Sequence, residues 1–121
     1  MRAIIIAAAM LAAAGCGEDM ATNPTDPPCA TITIANNAVS PNAVTVSPGC
    51  RVTFVNNDSR NHDMASDPHP EHTTCLELNQ VGHLEAGQRR ETGNLNTVRR
   101  CGFHDHNDPN NRGLQGTITT Q

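Results

Sequence analysis

Five cysteines and six histidines stand out in this chain of 121 residues as the side chains able to do chemistry. Thiolates and neutral imidazoles are metal ligands, and cysteines in an oxidising compartment pair into disulfides. The histidines are clustered. His62, His69 and His72 fall within one polar stretch, and His104 and His106 lie in Cys101-Gly102-Phe103-His104-Asp105-His106. On an extended strand His104 and His106, two residues apart, share a face. A ligating imidazole gives its second ring N–H to an acceptor, and Asp63 and Asp105 adjoin candidate ligands. His69 and His72 sit in the Pro-bracketed loop Asp67-Pro68-His69-Pro70-Glu71-His72, where solvated histidines are common. His83, before Leu84, reads as a surface residue.

Composition removes several functions. Eight basic residues, all Arg, face 12 acidic ones, for a net charge of -4, which is the wrong balance for gripping phosphate backbones. With Phe54 and Phe103 as the only aromatic residues besides histidine, there is no stacking surface for bases. Arg89-Arg90 and Arg99-Arg100 read as charges on sheet faces. No pair of carboxylates is placed at a reactive centre and no nucleophile motif occurs, so no catalytic residues and no enzyme are expected.

The amino terminus is an address. Met1-Arg2 is followed by an apolar run, Ala3 to Ala14, shorter than the roughly 20 residues a membrane anchor needs. Its end, Ala13-Ala14-Gly15-Cys16, resembles a bacterial lipoprotein signal, which implies cleavage before Cys16 and lipid attachment to its sulfur. The expected organisation is a signal peptide at 1–15, a lipidated Cys and disordered tether at 16–28, and one domain at 29–121. Stretched out, the tether reaches on the order of 40 Å. The expected location is the cell envelope, on the periplasmic face of the outer membrane or at the cell surface, with the membrane met only through the lipid.

The elements that must position the histidines are strands. Apolar and polar residues alternate in Ala30–Ile34, Val44–Val46 and Arg51–Val55, with turns at Asn36-Asn37, Ser47-Pro48-Gly49 and Asn56-Asn57-Asp58. Leu76–Leu78, Gln88–Thr92, Val98–Phe103 and Gly116–Thr119 are further strand candidates, and Glu85-Ala86-Gly87 a turn. No helical period survives the Pro, Gly and Asn punctuation. Six to eight short strands predict an all-β fold, an antiparallel Greek-key β-sandwich.

Three stretches give the chain a family likeness. Val46-Ser47-Pro48-Gly49-Cys50-Arg51-Val52-Thr53-Phe54-Val55-Asn56-Asn57 is similar to a turn and central strand of the cupredoxins. His62 stands where that family places its first copper ligand. Cys101-Gly102-Phe103-His104, with Leu114-Gln115-Gly116-Thr117-Ile118 after it, resembles the family's closing loop and last strand. The resemblance implies one copper ion held by His62, Cys101 and His104, with His106 a further imidazole candidate. It places Leu114 at the position of the axial Met, where a side chain that cannot coordinate should disfavour Cu(II) and raise the reduction potential.

It also implies that Cys29 and Cys50 begin neighbouring parallel strands, within reach of a disulfide. Cys75 and Cys101 then either bond to each other or leave Cys101 free as a thiolate. Three functions follow. The first is an envelope lipoprotein carrying single electrons on a thiolate-bound copper, with a redox partner. The second is a copper-buffering or delivery lipoprotein using imidazoles alone, drawn from His62, His69, His104 and His106, with a copper donor or acceptor as partner. The third is a metal-free interaction module stapled by Cys29–Cys50 and Cys75–Cys101.

Overall fold

The period-two pattern becomes nine strands in the computed structural model, which describes residues 29–121. The signal peptide at 1–15, Cys16 and the tether at 16–28 lie outside the described residues. One sheet takes β1 (Ala30–Ala35), β2 (Ala38–Ser40), β4 (Val52–Asn56) and β7 (Arg89–Glu91), in the order β2-β1-β4-β7. The other takes β3 (Ala43–Val46), β5 (His62–Ser66), β6 (Gly82–Leu84), β8 (Arg99–Asp105) and β9 (Gly116–Thr120), in the order β3-β9-β8-β5-β6.

Each expected turn has its physical cause. Asn36 and Asn37 take φ of 52° and 61°, a left-handed pair that asparagine tolerates and that a tight hairpin requires. Gly49, at φ 93°, reverses the chain into β4. That strand runs parallel to β1, with Ala30 opposite Val52 and Ile32 opposite Phe54. Cys29 and Cys50 bond at the start of this pair, their Cα atoms 5.7 Å apart.

The alternating residues meet between the sheets. Ile32, Ile34, Val52 and Phe54 from one sheet and Met64, Cys101, Phe103 and Ile118 from the other are buried together. The two phenylalanines touch edge to face, centroids 5.2 Å apart, joining the central strands of both sheets. Leu114 is fully buried in the same apolar core, and Met64 with it.

Two departures from the sequence pattern matter for function. Leu76–Leu78 is not a strand. The chain winds there, Leu78 N–H donating to the Cys75 carbonyl and Val81 N–H to that of Leu78, into a 3-10 turn at Leu78–Gln80. His62–Ser66, too polar to read as a strand, is one. It lies between β8 and β6, so its backbone groups are paired on both sides. The excursion from Asp67 to Val81, between β5 and β6, carries His69 and His72.

Phe103→Ala removes one half of the contact that joins the sheets. It is expected to destabilise the domain by about 3–5 kcal/mol, read as a lower urea midpoint.

Candidate metal centre

Strand parity decides which histidines can meet. In β8, Cys101, Phe103 and Asp105 point into the sandwich and Arg100, Gly102 and His104 point outward. His104 is opposite Ala65, and Asp105 is opposite Met64. His62 is on the inward parity of β5 with Met64 and is buried, so it faces away from His104. Its Nδ1 lies 2.6 Å from the Asp105 carboxylate and its Nε2 lies 3.0 Å from that of Asp58. Both ring nitrogens of His62 are thus engaged by carboxylates on the inner side of the sheet, away from the outer histidines. The hydrogen bond from His62 holds the Asp58 carboxyl below its ordinary pKa.

The outward histidine finds other partners. The 67–81 excursion folds back over β8, bringing His69 and His72 against His104 and His106. Ring centroids of His69 lie 5.5, 5.2 and 5.0 Å from those of His72, His104 and His106. His72 Nε2 is 3.2 Å from His104 Nε2 and 3.3 Å from His106 Nδ1. One ring nitrogen from each of His69, His72 and His104 falls within 4.8 Å of the others.

A metal–imidazole bond of about 2.0–2.1 Å puts the nitrogens of a tetrahedral ion about 3.3 Å apart, so the His72–His104 and His72–His106 separations fit a shared ion. The proton count agrees. His104 Nδ1 gives its hydrogen to Asp67, 2.7 Å away, which leaves Nε2 as a lone pair aimed at His72. His72 Nε2 carries at most one hydrogen but faces two nitrogens. A cation satisfies all of them at once. Burial, then the neighbouring His104, His106 and His69, push the His72 pKa below 6.5, which favours the neutral, ligating form.

The second disulfide ties the excursion here, with Leu78 and Val81 buried in the core after it. Cys101 is bonded to Cys75, Cα atoms 5.7 Å apart, and both are fully buried. Beside it Arg99 pairs with Glu77. The Asn79 side chain donates to the His72 carbonyl at 2.7 Å and accepts from Ser66 N–H at 2.8 Å. His72 itself sits at φ 56°, left-handed backbone that these contacts hold in place.

The structure thus differs from the expected ligand set of His62, Cys101, His104 and His106. It brings His104 and His106 together with His69 and His72. It places His62 on the inner side, with both nitrogens used, and Cys101 in a disulfide. Leu114 belongs to the core. Asp67, rather than Asp63 or Asp105, takes the second N–H of His104. A sign of Asp67 was present in the sequence: Gly102, inside a strand, marks a close approach. A Cβ there would overlap the Asp67 carboxylate, and Asp67 N–H donates to the Gly102 carbonyl at 3.0 Å.

No protein-family model and no curated protein sequence matches the chain. Solved structures do. A purple cupredoxin from Nitrosopumilus maritimus superposes with a TM-score of 0.61 at 21% identity, covering 76% of this chain and 99% of that one. Oxidised plastocyanin from Dryopteris crassirhizoma gives 0.59 at 19% identity, over 75% and 99% of the two chains. Amicyanin from Paracoccus versutus gives 0.63 at 15% identity, over 83% and 86%. At these identities the likeness is one of fold: the described residues form a cupredoxin-like β-sandwich.

Gly102→Ala displaces the Asp67 carboxylate from the His104 ring, and Asp67→Asn replaces that charged acceptor with a neutral amide. Each is expected to weaken metal affinity about 10–100-fold while the domain stays folded. Competition against a chelator of known strength reads the change; unaltered affinity in both variants removes Asp67 from the site.

Proposed function

We propose that this cupredoxin-like domain is a copper-holding module of the cell envelope, tethered through a lipid on Cys16, which keeps one copper ion on imidazoles for buffering or delivery. The observation supporting this is the convergence of His69, His72, His104 and His106 while the Cys101 sulfur is closed in a disulfide. Copper is the cargo. A nitrogen-donor site takes Cu(II) ahead of the other divalent first-row metals, Zn(II) among them. A thiolate-bound electron carrier would need the Cys101 sulfur free.

The protein's own side chains suit a cargo that must leave again. His104 is buried and anchored by Asp67, whereas His69 and His106 are exposed. An acceptor's ligands can therefore reach the ion from the solvent side while His104 keeps it oriented. The partner is a copper donor or acceptor protein.

Adding Cu(II) to the fragment beginning after Pro28 is expected to give one equivalent bound, with a pale d–d absorption and no intense blue band. His104→Ala and His72→Ala should each lower the affinity by more than tenfold. Thiol titration in denaturant should find no free thiol. An intense blue colour would falsify the imidazole-only site.

The depressed pKa of His72 sets the pH response. A proton competes with the ion for its lone pair only below 6.5, so copper is expected to stay bound as the pH falls through 6.5 and to be lost further into the acid range. Following bound copper by absorption against pH checks this; half-release above pH 6.5 would contradict it.

A further inference from the structure

On the outer face of the five-stranded sheet, three side chains form a row across neighbouring strands. Asp63 on β5 is directly opposite His83 on β6. On its other side His106 N–H donates to the Asp63 carbonyl at 2.7 Å, continuing the antiparallel register of β5 and β8. The three residues share the outward parity that carries Ala65 and His104, and directly opposed residues on one face have Cβ atoms about 5 Å apart. β6 is the edge strand of the sheet, so the His83 end of the row is open to solvent. His83 is exposed.

Between this row and the 67–81 excursion lies a cavity of about 240 Å³, lined in part by Asp63, His72, Asn79, Gly82 and His106. At about 30 Å³ per water molecule it has room for a partly hydrated ion. It ends on two of the four clustered imidazoles. The neighbouring carboxylates of Asp58, Asp67 and Asp105 are each bound to an imidazole. Among the described residues that of Asp63 has no hydrogen-bond or ion-pair partner, and it faces the cavity.

We propose that Asp63 and His83 form an outer capture site for the copper ion, at the mouth of the cavity leading to His72 and His106. This rests on the copper-holding reading and adds the route to it. The Asp63 carboxylate draws a dication to the edge of the sheet, and His83 replaces one of its waters. The ion then crosses to His72 and His106, exchanging the hard carboxylate for imidazole nitrogens, which copper prefers. Release follows the same path in reverse.

Stopped-flow mixing of the folded domain with Cu(II) supplied as its glycine complex tests this in wild type, Asp63→Asn and His83→Gln. A carboxylate at the mouth of a site raises a cation's on-rate, so association is expected to slow about five- to tenfold in Asp63→Asn and about two- to threefold in His83→Gln. Because one path serves both directions, dissociation should slow in parallel. The equilibrium affinity should then move less than about threefold, with an unchanged absorption spectrum. Unchanged rates in both variants overturn the proposal. So does an altered spectrum with weakened affinity in Asp63→Asn, which would make Asp63 a ligand of the bound ion. A wild-type domain that takes up no copper would instead defeat the copper-holding reading itself.

Discussion

The Cys75–Cys101 bond is the constraint on which the rest of the site depends. Closing a loop of sequence separation 26 contributes about 3–4 kcal/mol in the chain-entropy view, but its geometric effect is larger. Without it the residues before Cys75 form a polar segment stiffened by two prolines, Pro68 and Pro70, with none of its side chains in the apolar core. With it, Cys75 sits in the core beneath β8, and the residues before it are drawn across the outer face of that strand. The bond removes a soft donor from the chain and, in the same act, delivers two imidazoles to His104 and His106. Both consequences favour an ion held by nitrogen alone.

Strand parity divides the polar residues at the end of β8 into two systems. His104 and Asp105 are adjacent in sequence and both buried, but they serve opposite sides of the sheet. The inner system, Asp58–His62–Asp105, is closed. Asp105 Oδ1 accepts from the N–H groups of Asp63 and Asn107, and Asp58 Oδ2 accepts from Asn37 N–H, so the carboxylates are satisfied by fixed donors as well as by His62. It joins the turn after β1, the loop after β4 and the exit of β8, and its effect is to fix where His106 begins. The outer system is open, because its nitrogens face one another across a gap that hydrogen atoms fill incompletely.

Much of the fold was legible because burial on one face leaves a period of two. Ile32 and Ile34, Val52 and Phe54, and Cys101 and Phe103 all announce themselves this way, and Asn36-Asn37 and Gly49 punctuate as their backbone angles require. β5 was not legible. His62, Met64, Ala65 and Ser66 are buried in a strand covered by neighbours on both sides, and its polar residues hid the strand. The site was half legible for the same reason. His104 and His106 share a face because they are two apart on one strand, which sequence spacing can express. His69 and His72 join them through a disulfide and a left-handed residue, and His62 is withdrawn by a hydrogen bond with a residue 43 positions away. Nothing local in the sequence encodes a meeting across such distances, whereas Gly102, a gap in a strand, did mark where Asp67 would come.

The charge balance of the outer site bears on how long an ion would stay. A thiolate ligand neutralises part of a cation's charge and forms a covalent, slowly exchanging bond; four neutral imidazoles do neither. The compensating charge must come from carboxylates that do not touch the ion. Asp67 acts through the His104 ring, strengthening that one donor and holding it still. Asp63 lines the cavity, and in the proposed capture role it would lower the energy of an arriving or departing dication more than that of a seated one. In that role one carboxylate orients and the other would ease passage. A site built to cycle electrons gains from holding its metal in one place, whereas in the proposed copper-holding role this distribution of charge would favour binding followed by exchange.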